Sequence, residues 1–244
     1  MISNYEHIRL ALSTTILLLA SIQDIKSREV EDLLWVGGIV LGSILDLHLF
    51  FSYRPSLQEF LQYLRFCIPF IIIITLSWRL KLMGEADLLA LLTLEVLQPL
   101  HPSGKCVFPP AFCSLIYSNF LILLVPIGFL LWNAIQLLEG KRIFEGFEES
   151  LPRKIVASVL AIAVSTDRVE KFKYFAIAQE GNSLRKRFKL ISALSIPEVK
   201  EEVPKSDPLV WICPSIPMIP LILVGYLLTI WIGDPILLII NFIQ

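Results

Sequence analysis

The chain has 244 residues, of which 55% are hydrophobic and 18% are charged, and its mean hydropathy is +0.71. A soluble domain of this size could not bury so much apolar surface, whereas a bilayer accepts an apolar run of about 17 to 25 residues as a helix. The net charge of −1 gives no basic bias. Composition therefore predicts a protein of the lipid bilayer and excludes a nucleic-acid partner.

Six hydrophobic runs follow one another along the chain, and we interpret each as a transmembrane helix. The expected spans are 8–23, 33–51, 57–78, 84–100, 107–138 and 209–242. The first run leads directly into Asp24 rather than into a small-residue cleavage site, which predicts a retained span and no cleaved signal peptide.

The fourth span differs from the others because it carries three acids, Glu85, Asp87 and Glu95. A bilayer tolerates such residues where they face the interior of a helix bundle or water. These acids are therefore candidates for a functional site.

The composition changes between residues 140 and 212, where 13 of the 21 Lys and Arg residues are found. The longest apolar run there, 155–164, is too short to span a bilayer and predicts a buried strand or a short helix. We therefore expect helices 1 to 5 in 1–139, a small soluble domain in 140–212 and helix 6 in 213–244. The fold class is predicted as an all-α polytopic membrane protein.

Basic residues in the loops set the expected orientation, because cytoplasmic loops carry an excess of Lys and Arg. The loops after spans one, three and five contain Lys26, Arg28, Arg79, Lys81 and the basic domain, whereas the opposite loops contain Arg54 and Lys105. The N-terminus is thus expected outside and the soluble domain in the cytoplasm.

Asp24 lies at the end of span one and Asp87 at the start of span four, so the two crossings between them, spans two and three, return the chain to the same leaflet. Two carboxylates at one depth provide the chemistry of an aspartyl protease: an ionised one takes a proton from water, and a protonated one polarises the scissile carbonyl. Taken singly, Asp24 could be a solvated interfacial charge, and Asp87 could complement the positive end of its helix.

The residues from Asp24 to Asp32, read as Asp-Ile-Lys-Ser-Arg-Glu-Val-Glu-Asp, resemble the first motif of type IV prepilin peptidases and archaeal preflagellin peptidases. Gly84-Glu-Ala-Asp87 resembles their second motif, GxGD, which presenilin and signal peptide peptidase share more distantly. The proline-rich segment 211–220 is similar to the entry into the last span of preflagellin peptidases. Carried over by position, the resemblance implies that Asp24 and Asp87 are the catalytic pair, with motif support from Gly84, Ala86, Lys26 and Arg28.

Two positions depart from the family pattern. Ala86 stands where the second motif has glycine, and Glu31 stands where many relatives have proline. Alanine still permits a close backbone approach. The cysteine-rich insertion of the bacterial prepilin branch and the late PAL motif of presenilin relatives do not occur, so the preflagellin branch fits best.

The resemblance implies a membrane aspartyl endopeptidase of the plasma membrane that cleaves the leader peptide from preflagellin at the cytoplasmic boundary. Water is the expected nucleophile, with no cofactor and no metal. Four acids at this border are candidates for contacts with the basic leader of the substrate, although an ordinary solvated loop is the simpler explanation of them. They are Glu29, Glu31, Asp32 and Glu85.

Two alternatives to this function remain open. One is a prepilin peptidase of broader substrate range, which differs only in its substrates. The other belongs to a different class, a proton-coupled transporter in which Asp87 and Glu95 carry protons. The absence of a repeat between the two halves of the chain counts against a transporter.

Overall fold

The computed structural model describes residues 2–53, 56–80, 83–102, 106–169, 172, 174–182, 185–189 and 208–243. The chain divides into two compact units, one of residues 1–121 and 217–244 and one of residues 122–216. The elements in chain order are α1 Ile2–Ser27, α2 Asp32–Tyr53, α3 Leu57–Arg79, α4 Glu85–Leu97, α5 Pro110–Ile122, α6 Leu124–Leu138, α7 Leu151–Leu160, β1 Ile162–Ser165, α8 Thr166–Val169, β2 Phe175–Ile177, β3 Gln179–Asn182, β4 Arg185–Phe188, β5 Leu209–Pro214, α9 Met218–Ile232 and α10 Pro235–Ile243.

The described helices are those of a helical membrane protein. Three stretches are long and apolar enough to cross a bilayer, namely 5–27, 32–52 and 110–138. A fourth arises if α9 and α10, which are bent by 58° relative to each other, count as one span. Length and composition of the described residues thus support three to four of the six predicted spans.

Helix α4 is shorter than the span predicted at 84–100. It has 13 residues, about 20 Å of helix, against a hydrocarbon thickness of about 30 Å. Its middle is fully buried, with Ala90 and Leu91 0% exposed, because α1, α2, α3 and α9 pack around it. The acidic residues of this segment are therefore on a helix enclosed by other helices.

Two glycines of α2 allow the backbone of α4 to come close. A Cβ at Gly38 would lie 2.5 Å from the Cγ2 of Thr93, and one at Gly42 would lie 3.0 Å from the carbonyl oxygen of Val96. Small residues four apart on one helix permit this close packing. Larger residues would push α4 away from α2.

An ion pair between a buried arginine and a partly exposed aspartate holds the C-terminal end of α4. Arg9 of α1 is 2% exposed, and its guanidinium donates to the carbonyl oxygen of Leu97 at 2.9 Å and to the carboxylate of Asp46 on α2 at 2.5 Å. The side-chain amide of Gln98 also donates to Glu6 at 3.0 Å. Arg9 thus supplies the positive charge that stabilises a helix C-terminus.

The second unit contains a small antiparallel sheet of order β1-β5-β2 and the hairpin β3-β4. Trp211 of β5 is fully buried, pairs with Ala163 of β1, and packs against Phe144, Phe147 and Phe188. These strands are a feature that the all-α prediction did not include. The run 155–164 forms the end of α7 and most of β1, so it contains both a helix and a strand.

The last predicted span needs two corrections. Residues Leu209–Pro214 form β5 rather than helix, so the last apolar helix begins at Met218 and not at residue 209 or 213. The helix also breaks after Ile232, where Gly233 has a φ of 105°. Asp234 then caps α10, accepting from the backbone N–H of Ile236 at 2.9 Å. The predicted exposed linker 199–208 lies, apart from Pro208, outside the described residues.

Candidate active site

Asp24 lies in the last turn of α1, and its residue is 8% exposed. The helix ends at Ser27, and Arg28 follows with a φ of +59°, the left-handed conformation that commonly closes a helix. This turn leads the Arg28 guanidinium back toward Asp24, with 3.9 Å between Nη1 and Oδ1. The buried carboxylate therefore has a cation beside it.

Asp87 lies in the first turn of α4, three residues after Gly84, which caps the helix in an extended conformation. The carboxylate folds back over the cap, because a Cβ at Gly84 would lie 3.1 Å from Oδ2 of Asp87. The backbone N–H of Gly84 faces this carboxylate. Glycine at this position gives the side chain room, and the arrangement corresponds to half of a capping box.

The structure brings the two aspartates to one site. Asp87 lies within electrostatic range of both Asp24 and Arg28. This placement follows from packing, since α4 contacts α1 with its first turn near the C-terminal end of α1 and its last turn near Arg9. The site thus contains two carboxylates and one guanidinium.

The N-terminus of α9 also reaches this site. The helix begins at Met218, after the cap residue Pro217, and the backbone N–H of Ile219 approaches the Asp24 carboxylate. Pro220 has no N–H, so the first turn has few free donors. Oδ2 of Asp24 has no hydrogen-bond partner in the described part of the chain. One oxygen of this buried carboxylate therefore keeps its hydrogen-bonding capacity unused among the described residues.

The other predicted site residues lie around this pair with different exposure. Ala86 is partly buried in the first turn of α4, and Lys26 is exposed on α1. All four candidate leader-binding acids are exposed, three of them between the end of α1 and the start of α2 and one at the start of α4: Glu29, Glu31, Asp32 and Glu85. The turn is held to α1, since Gln23 accepts the Glu31 backbone N–H at 3.0 Å.

Glu95 lies two turns beyond Asp87 on α4 and is 3% exposed. Its carboxyl oxygens have no nitrogen or oxygen partner among the described residues, and the thiol of Cys67 on α3 is its polar neighbour. Glu95 therefore faces the interior of the helix bundle, where a membrane protein tolerates an acidic residue.

Two contributions to the site were not found from sequence. The first is the backbone N–H of Ile219, of which the proline-rich segment 211–220 gave the only sign. The second is Arg9, whose pairing with Asp46 fixes the far end of α4. The sequence contains a sign of this pair, since predicted span one includes a cation and predicted span two an acid. Charges inside membrane segments usually pair with each other.

Comparisons with known proteins show the family of this chain. A family model described as the type IV leader peptidase family matches residues 11–135, just over half of the chain. The preflagellin peptidase of Methanococcus voltae is 28% identical over 237 residues, covering 92% of this chain and 94% of the relative. The preflagellin peptidase of Methanocaldococcus jannaschii is 24% identical over 234 residues, covering 91% and 92%. The resemblance drawn from the two motifs is thereby confirmed.

Proposed function

We propose, because the chain belongs to the type IV leader peptidase family, that this peptidase removes the leader peptide from preflagellin and uses Asp24 and Asp87 to activate water. Both relatives with a stated activity are named preflagellin peptidase. This supports preflagellin as the substrate over the broader range of a prepilin peptidase, and it favours a protease over a proton-coupled transporter.

The observation that carries the proposal is that the end of α1 and the start of α4 bring a buried carboxylate, Asp24, and a partly buried one, Asp87, within electrostatic range of each other. Asp24 has Arg28 and the Ile219 N–H beside it, and both stabilise an ionised carboxylate. Asp24 is therefore the base that takes a proton from water, and Asp87 holds a proton and donates a hydrogen bond to the scissile carbonyl. The water oxygen bonds to the carbonyl carbon, and the leaving amine then takes a proton from the pair.

We place the active site at the cytoplasmic face of the plasma membrane, with six crossings and the N-terminus outside. In this topology α4 crosses the membrane as a short helix. Its neighbouring helices enclose it, so the non-helical backbone at its ends is kept from lipid. Residues 140–212 form the cytoplasmic domain between the fifth and sixth crossings. The concentration of basic residues in this segment supports that side.

The exposed acids at the border of the site are proposed to attract the basic leader of the substrate. Glu29, Glu31 and Asp32 lie on the turn after α1, and Glu85 starts the helix that carries Asp87. Their negative charges would guide a positively charged segment toward the aspartates.

The direct test incubates membranes of a host expressing this chain with a tagged preflagellin and with a tagged prepilin. We expect loss of the preflagellin leader, and no loss in matched membranes carrying Asp87→Asn. Cleavage of the prepilin at a comparable rate would instead support a prepilin peptidase of broader substrate range. An intact preflagellin under all conditions would refute the proposed function.

A further inference from the structure

Helix α7 of the second unit is packed with its apolar face outward, and we propose that this face lies in the bilayer, at the boundary between lipid headgroups and acyl chains. A helix on the surface of a soluble domain shows the opposite arrangement, with apolar residues inward and polar residues outward. The inference concerns a lipid-binding surface and is independent of the proposed function.

One exposed arc of α7 is apolar. Leu151 is 72% exposed, Ile155 53% and Val156 46%, and Pro152 is also exposed. At about 100° per residue, these four side chains and the half-buried Val159 share one arc of about 140°. The inward side instead has the small residues Ala157 and Ser158, which are 0% and 6% exposed. Exposing such a face to water would be unfavourable.

The lipid bilayer is the expected cover because α7 is joined to the end of an apolar helix. The side chain of Asn133 on α6 donates to the carbonyl oxygens of Ser158 at 3.0 Å and Ala161 at 2.8 Å, and it accepts the Ala163 N–H at 2.9 Å. Asn133 is 1% exposed. These bonds fix the C-terminal end of α7 beside the last two turns of α6.

The exposed apolar residues on the opposite side of α6 indicate that lipid extends to this depth. Leu131 is 58% exposed, Ile135 52% and Leu138 88%. The candidate transmembrane span 110–138 ends at Leu138, the last residue of α6. Trp132, whose indole N–H donates to Ala163 at 3.1 Å, is 39% exposed. A tryptophan with one apolar and one polar end is typical of the membrane interface. Helix α7 therefore lies at interfacial depth.

The charged residues of α7 lie beside the apolar arc rather than within it. Arg153 pairs with Glu149 at 3.1 Å, and the ammonium of Lys154 lies over the Phe144 ring. Long basic side chains at the edge of an apolar face can extend toward headgroups while their stems contact apolar surface. This pattern is that of an interfacial amphipathic helix.

Site-specific fluorescence quenching tests the proposal on the full chain in liposomes. The four native cysteines are replaced by alanine, and a bimane label is attached at Ile155→Cys or, as the matched control, at Glu148→Cys, which is exposed three residues before α7. We expect lipids brominated on the acyl chain to quench the label at 155 several-fold more than at 148. Aqueous iodide should show the reverse order.

Two results would overturn the proposal. Equal quenching of both positions by iodide would show that α7 faces water. Quenching of position 155 by neither agent would show that protein covers it.

Discussion

At the scale of single residues, the site depends on a turn that most residues avoid. A non-glycine residue with φ near +60° costs roughly 1–2 kcal/mol, and Arg28 adopts φ +59° directly after α1. The strain has a clear benefit, because the same turn leads its guanidinium to the Asp24 carboxylate. Charge and backbone geometry at this position can be separated by mutation.

We predict that Arg28→Gly and Arg28→Ala both lower kcat/KM for preflagellin cleavage, by roughly tenfold, since both remove the cation beside Asp24. Arg28→Gly should nonetheless unfold at a higher temperature than Arg28→Ala, because glycine relieves the left-handed strain. Arg28→Lys should restore much of the activity. If Arg28→Gly retained wild-type activity, the residue would serve the turn alone.

The acidic turn gives a second prediction at this scale. Glu31→Lys should raise KM for preflagellin about threefold with little change in kcat, the size expected of one exposed charge pair. The matched control is Glu145→Lys, an exposed reversal in the second unit, which should leave KM unchanged. Neutralising the basic residues of the substrate leader should remove the difference between the variants. A persistent difference would mean that the acids do not contact the leader.

At the scale of elements, the short helix α4 positions Asp87 through contacts at both of its ends. Gly84 leaves room for the carboxylate at one end, and Arg9 binds the last carbonyls at the other. Close packing against Gly38 and Gly42 sets its distance from α2. The position of Asp87 therefore depends on residues far from it in sequence.

Loss of the Arg9 side chain should lower the free energy of unfolding. Arg9→Ala leaves the Leu97 carbonyl without its donor and Asp46 without its cation, and we expect a loss of roughly 2 kcal/mol in unfolding free energy. The control Tyr5→Phe removes an exposed hydrogen bond to His48 on the same helices and should cost less than about 1 kcal/mol. Denaturant unfolding in detergent, followed by the helical circular dichroism signal, compares them. Equal losses would contradict the anchoring role.

The sequence predicted the long N-terminal helices well because these depend on local patterns, whereas the catalytic role of the two aspartates stays a prediction. Apolar runs located α1, α2 and α3 to within six residues at each end, and the motif around Asp87 located the start of α4. Hydropathy could not show that α4 ends at Leu97, since Pro99 and Leu100 are as compatible with a bilayer as the helix itself. It also missed β5, because an apolar strand of six residues next to an apolar helix reads as one longer run.

At the scale of the whole molecule, the proposed orientation rests on the distribution of basic residues. A cysteine introduced at Glu148 should resist an impermeant maleimide added to intact cells and should react in inverted vesicles, in a background without native cysteines. A cysteine at Leu100, exposed between α4 and α5, should show the opposite pattern. Labelling of position 148 from outside would reverse the orientation and move the site to the other face.

The central claim is that Asp24 and Asp87 act as one catalytic unit, and rates of preflagellin cleavage by the single and double asparagine variants test it most directly. We predict that Asp24→Asn and Asp87→Asn each lose roughly a thousandfold or more, that the double variant is scarcely slower than either, and that Glu95→Gln stays close to wild type. All four proteins should insert in membranes at similar levels. Cleavage by Asp24→Asn at near the wild-type rate, or partial losses that multiply in the double variant, would contradict the two-aspartate mechanism.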